Sequence, residues 1–102
     1  MRKALVYQHG VAAGYLIKKE KTYEFHYLAG YEGVAISLTM PVKDEPYIFE
    51  SFPPFFDGLL PEGYMLESLL ERCKIDRTDY FSQLVTVGAN MVGSVAVKEI
   101  ID

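Results

Sequence analysis

Apolar and polar positions alternate through the first half of the chain and then change period. Lys3 to Gln8 is short and rich in β-formers, and Tyr15 to Lys19 resumes an extended pattern after turn glycines at both ends of His9 to Gly14. That arrangement predicts an N-terminal hairpin. In Tyr23-Glu24-Phe25-His26-Tyr27 the aromatic rings fall on every second position, so a strand places all three on one face. Gly30 to Gly33 predicts a turn, after which Val34, Ile36 and Leu38 alternate with Ala35, Ser37 and Thr39 in another strand that Pro41 ends. Tyr47 to Phe49 has the length of a short edge strand.

From Leu66 onward the period is helical. Leu66, Leu69, Leu70 and Cys73 sit at i, i+3, i+4 and i+7, one stripe of an amphipathic helix, with Glu67 and Glu71 off it. Cys73 is expected to be a buried small apolar residue on that stripe. A second helix is expected from an N-cap near Asp76, carrying Phe81, Leu84 and Val85 inward until Gly88 closes it. Val92 to Ile100 returns to β character. Strands, helices and a final strand predict an α+β fold, a small antiparallel sheet of about five strands with two helices packed on one face. With no repeat, low-complexity segment or linker, residues 1–102 read as a single domain.

Between the two periods lies Phe52-Pro53-Pro54-Phe55-Phe56-Asp57-Gly58-Leu59-Leu60-Pro61-Glu62-Gly63. Its prolines fix φ and remove donors, its glycines permit unusual backbone angles, and its phenylalanines and leucines need a dry place. The segment reads as a rigid apolar turn leading into a helix. Glu62 just after Pro61 suits the helix's first turn, where a carboxylate meets the positive end. Tyr64 and Met65 follow at the start of that helix, and two readings are open: a hot spot for a partner, or a cover for the domain's own core.

Composition narrows the function. Half the residues are hydrophobic, with eight Tyr, six Phe and no Trp, which excludes a disordered chain. A net charge of −4, with Lys and Arg scattered apart from Lys18, Lys19 and Lys21, gives no footprint for a phosphate backbone, so no direct nucleic-acid binding is expected. One cysteine forms no internal disulfide, and no apolar run reaches membrane-spanning length; a cytoplasmic protein without a membrane anchor is expected.

No catalytic constellation emerges. Gly88-Ala89-Asn90-Met91-Val92-Gly93 has the glycine spacing of a phosphate loop, but Ser94 stands where lysine is needed and a strand follows instead of a helix. Phe56-Asp57-Gly58 has the letters of a kinase metal-binding motif in the wrong order, and no His-Arg-Asp loop occurs. His9 and His26 lack neighbours at metal-site spacing. Asp57 and Glu62 could form an acid/base pair, but without a nucleophile or partner histidine, capping and interface hydrogen bonds are the better roles. No metal, no cofactor and no catalysis are therefore expected.

Three motifs carry a family resemblance: Ser37-Leu38-Thr39-Met40-Pro41, Phe55-Phe56-Asp57-Gly58-Leu59-Leu60-Pro61-Glu62-Gly63, and Val87-Gly88-Ala89-Asn90-Met91-Val92-Gly93-Ser94. Their order and content resemble the N-terminal subdomain of the HipA family of bacterial serine/threonine kinase toxins. The chain departs from the family at Gly58, where Asn is frequent, and at Ala89-Asn90-Met91, where a charged residue and Asp-Cys are usual. In full-length kinases this subdomain packs on the kinase core. Read as a free-standing protein from Met1 to Asp102, the chain is similar to the small HipS components of tripartite HipBST toxin–antitoxin systems. The resemblance implies an antitoxin that binds and neutralises a HipA-like (HipT-like) kinase in trans, alone or in a ternary complex with a HipB-like helix-turn-helix DNA-binding protein. The contact residues expected for that role are Phe55, Phe56, Asp57, Leu59, Leu60, Glu62, Tyr64 and Met65. The alternative is a non-inhibitory scaffold, an excised kinase N-terminus bridging kinase and repressor.

Overall fold

The computed structural model describes residues 1–88 and 94–101. Strand β1 (Arg2–Gln8) turns into β2 (Val11–Lys18) through His9 and Gly10 alone, both at positive φ, 50° and 78°. Two consecutive left-handed residues make the turn whose twist matches a hairpin, and glycine supplies the second without a Cβ penalty. The turn is thus shorter than the His9 to Gly14 span, and Gly14 lies inside β2. A Cβ there would collide with the His26 carbonyl and the Phe25 ring, so this glycine permits close strand approach rather than a turn. The register slips between Val6 and Tyr7, leaving Ala13 as the extra, fully buried residue.

Strands β3 (Tyr23–Tyr27), β4 (Tyr47–Phe49) and β5 (Val95–Ile100) complete one antiparallel sheet in the order β4-β3-β2-β1-β5. The Val92 start expected for the last strand, and the Ala89 to Gly93 part of the glycine motif, lie outside the described residues. Pleating sends Val6, Leu16, Phe25, Tyr27 and Val97 to one face, where they form the core with Ile36, Met40, Phe56, Phe81 and Leu84. Leu5, Tyr7, Tyr15 and Ile17 alternate with these and stay half-exposed on the other face.

The expected strand across Val34 to Thr39 does not form. Ile36 is buried, but Val34 is 63 % and Leu38 104 % exposed, and Ser37 and Met40 make only an isolated bridge. A phenol replaces the missing sheet partner: Tyr27 Oη accepts from the Ile36 N–H at 3.1 Å and donates to the Met40 carbonyl at 2.5 Å. Burial pushes the Tyr27 phenol up, which keeps it a donor. β4 takes the edge of β3 instead, Tyr47 opposite Phe25.

The described residues form three helices, one more than the periodicity showed, and the first and third send Phe56, Phe81 and Leu84 into the core. The addition is α1 (Pro54–Asp57), a single turn in which Pro54 takes the first helical position, where its missing N–H costs nothing. In α2 (Gly63–Cys73) only Leu69 is buried; Leu66 and Leu70 are half-buried and Cys73 is exposed, so the expected burial of the thiol is overturned. The last turn of α2 has left the core by the time the stripe reaches position 73. In α3 (Tyr80–Val87) Phe81 and Leu84 are fully buried and Val85 packs against them. Its N-cap is Asp79, which accepts from the Ser82 N–H at 3.1 Å and Ser82 Oγ at 2.7 Å. Asp76, the expected cap, instead accepts from Thr78 N and Oγ1 in the preceding turn. Both aspartates have a cap's chemistry; docking of Phe81 against the sheet selects the second.

Candidate partner-binding surface

Aromatic stacking along β3 and α1 sets the position of the surface. Tyr23 holds Phe52 at 5.3 Å between ring centres, and Phe25 holds Phe56 at 5.9 Å. Phe55 stands edge-on to Phe56 at 5.2 Å, and Pro53 is fully buried beneath the turn. Backbone bonds from Asp57, Gly58, Leu59 and Leu60 N–H groups to the carbonyls of Pro53, Pro54, Phe56 and Asp57 close the segment, all at 3.0 to 3.1 Å. The chain then enters α2 through Gly63 at φ 57°, a conformation that side-chain-bearing residues adopt at a cost.

The eight sequence-selected residues therefore divide into three groups. Phe56 is wholly inside the core, so it shapes α1 rather than presenting itself. Phe55, Leu59 and Leu60 are half-buried against that core and show one side each. Asp57, Glu62, Tyr64 and Met65 are exposed, Tyr64 at 94 % and Met65 at 73 %. Tyr64 and Met65 do not cover the domain's own interior. Glu62 lies at the N-cap of α2, one residue before the first turn, and its side chain makes no capping bond. Neither Asp57 nor Glu62 meets a side-chain donor among the described residues, and no acid/base pair is assembled. Both carboxylates stay available for donors from outside.

An open groove of about 490 Å³ runs along the outer face of α2, lined by Tyr64, Glu67, Ser68, Glu71 and Arg72. Tyr64, Glu67, Ser68 and Glu71 follow the i, i+3, i+4, i+7 spacing of one helix stripe, and Glu67 is paired with Arg77 at 2.6 Å. Outside this region, Glu24 pairs with Lys19 and His26, each at 2.8 Å, and the hydrogen bond from Lys19, then that from His26, holds the Glu24 carboxyl below its ordinary value. Among the described residues no three His, Cys, Asp or Glu side chains converge on a metal-sized site, and no helix is long and apolar enough to cross a membrane.

Leu38 belongs to the Ser37 to Pro41 motif, and alternation predicts it in a strand, yet its side chain is completely exposed. The available signal was its setting between Ser37 and Thr39, hydroxyl residues that favour turns, with Pro41 following.

Comparison with known proteins agrees with this geometry. An uncharacterized protein of Haemophilus influenzae (strain ATCC 51907 / DSM 11121 / KW20 / Rd) is 30 % identical over 99 residues, covering 97 % of this chain and 93 % of the relative. A solved structure described as the N-terminal domain of HipA toxin superposes with a TM-score of 0.82 at 27 % identity, over 100 % of this chain and 95 % of that one. The HipA N-terminal domain family matches residues 4–98, and the chain belongs to that family.

Proposed function

We propose that this protein is an antitoxin that binds a HipA-like serine/threonine kinase toxin in trans and neutralises it, with no catalysis of its own. The observation that carries the reading is the pair Tyr64 and Met65, 94 % and 73 % exposed at the start of α2, close after the α1 turn. A rigid aromatic and a flexible thioether beside half-exposed Phe55, Leu59 and Leu60 form the kind of cluster that concentrates binding energy. A relative of nearly the same length supports a role as a separate small protein. In this reading the domain docks where the corresponding N-terminal domain of a longer HipA chain would pack, and Asp57 and Glu62 supply polar contacts at the rim.

The deciding experiment is autophosphorylation of the HipA-like kinase from the same genome, with and without an excess of this protein. Loss of phosphorylation together with a stable complex is expected. A complex with full phosphorylation would instead favour the scaffold that bridges the kinase and a HipB-like repressor, and no complex would remove both readings.

A further inference from the structure

The sheet face turned away from the core carries unusual residues for a surface in water. On the solvated face of an antiparallel sheet the outward positions are mostly polar. Here the outward positions of β1 and β2 include Leu5, Tyr7, Tyr15 and Ile17, all half-exposed, with Leu5 directly opposite Tyr15. Lys3 and Lys98 stand on the same face, Lys3 opposite Ile17 and Lys98 opposite Leu5. Neither ammonium meets a carboxylate among the described residues, and Lys3 Nζ lies 4.7 Å from the centre of the Tyr15 ring. An apolar centre bordered by unpaired cations is complementary to an apolar surface bordered by carboxylates.

The molecule carries that complement itself. Tyr64 and Met65 are exposed at the start of α2, and Tyr64 shares its outer stripe with Glu71. Glu62, just before Tyr64, and Glu71 are both exposed and unpaired among the described residues. The dimensions agree as well. β5, β1 and β2 lie side by side, with about 10 Å between the outer two axes, and a helix with its side chains is about 10–12 Å across. The 11 residues of α2 rise about 16 Å, within the roughly 24 Å of the seven-residue β1. Two sheet faces laid together would instead set Lys3 and Lys98 against their equals, which disfavours that pairing.

We infer that the bare sheet face of one copy receives the outer stripe of α2 from a second copy, with Lys3 and Lys98 meeting Glu62 and Glu71 around Tyr64. The two surfaces are different parts of the chain, so the contact is head-to-tail. Each terminal copy keeps one surface free, and association continues into short chains or closes as a ring. No kinase takes part in this contact.

Sedimentation velocity of the purified protein tests it, comparing wild type with Lys3→Glu/Lys98→Glu on the sheet face and Tyr64→Ser/Met65→Ser on the helix. Both variants are expected to melt like wild type, because none of these side chains is buried. Wild type is expected to grow past a dimer as its concentration rises, and each variant alone to stay a monomer. An equimolar mixture of the two variants is expected to give a dimer and nothing larger, because only one intact pair of surfaces remains. A wild type that is monomeric up to about 1 mM, or a mixture that stays monomeric, would overturn the inference. So would either variant associating like wild type; for the helix variant that result would assign the sheet face to sheet-on-sheet pairing. None of these results bears on the antitoxin reading, which the kinase assay decides separately.

Discussion

Neighbouring residues in the Phe55 to Met65 segment differ in what a substitution removes. Phe56 is wholly enclosed, so Phe56→Ala leaves a cavity and is expected to destabilise the fold by about 3–5 kcal/mol, measured by urea unfolding. Tyr64→Ala and Met65→Ala remove side chains that touch little of the domain, and their stabilities are expected within about 0.5 kcal/mol of wild type. Under the proposed function their affinity for the kinase is expected to fall about tenfold or more, and unchanged affinity in both would take them out of the proposed contact surface. Tyr27→Phe deletes the oxygen that serves both Ile36 N–H and the Met40 carbonyl inside the core, and is expected to cost about 1–3 kcal/mol. From sequence alone Phe55 and Phe56 are equivalent; the direction of α1 over Phe25 separates them. Tyr64 and Met65 had two open readings for the same reason.

At the scale of elements, α2 stands apart. Its N-cap side chain makes no bond, it begins on a left-handed glycine, and it ends at Lys74 with φ 55° where glycine is the unstrained choice. An isolated helix shorter than about 12–15 residues is marginal in water, and α2 has one buried side chain to hold it. Hydrogen exchange is therefore expected to show α2 amides opening well before those of β1 and β2, and gaining protection in the proposed complex with a kinase. Lys74→Gly should stabilise the protein by about 0.5–1 kcal/mol by relieving the left-handed conformation, read from the shift in melting temperature. Cys73 should react with a thiol reagent without unfolding; protection until denaturation would contradict its exposure. Amphipathic periodicity located this helix correctly and said nothing about how far its stripe would reach over the core.

Across the whole molecule, Arg2 joins the chain's beginning to its end. Its guanidinium forks onto Glu99 through Nε and Nη2, both at 2.9 Å, donates to Ser82 Oγ at 2.7 Å and lies 4.8 Å above the Phe81 ring. One side chain thereby ties β1, β5 and α3, and Arg2→Ala is expected to cost about 1–2 kcal/mol. Three carboxylates are held below their ordinary values: Asp76 by the hydrogen bonds from Thr78, and the less exposed Glu24 and Asp79, which dominate the acid response. Glu24 is held low by Lys19 and His26; burial alone would push Asp79 up, but the hydrogen bonds from Ser82 outweigh it and hold Asp79 low as well. A carboxylate more acidic in the folded than in the unfolded chain contributes stability at neutral pH that is lost as pH falls through the ordinary range, about 4 to 4.5, and below. Melting temperature should therefore drop between about pH 5 and pH 3. The drop should be shallower in Glu24→Gln/Asp79→Asn, and identical profiles would remove these two residues as its source.

The sequence by itself determined the strands around Tyr7, Phe25 and Val97, the helical stripes of Leu66 to Leu70 and Phe81 to Val85, and the family, because alternation, helical spacing and contiguous motifs are local properties of the chain. Tertiary structure decided the rest. Whether Ile36 and Leu38 share a strand depends on which segment occupies the edge of β3, and β4 does. Whether Asp76 or Asp79 caps α3 depends on where Phe81 meets the sheet. Whether Cys73 is buried, and whether Leu38, Tyr64 and Met65 face water, depends on where helices and turns come to rest, a balance of contacts between residues far apart in sequence that no local pattern encodes.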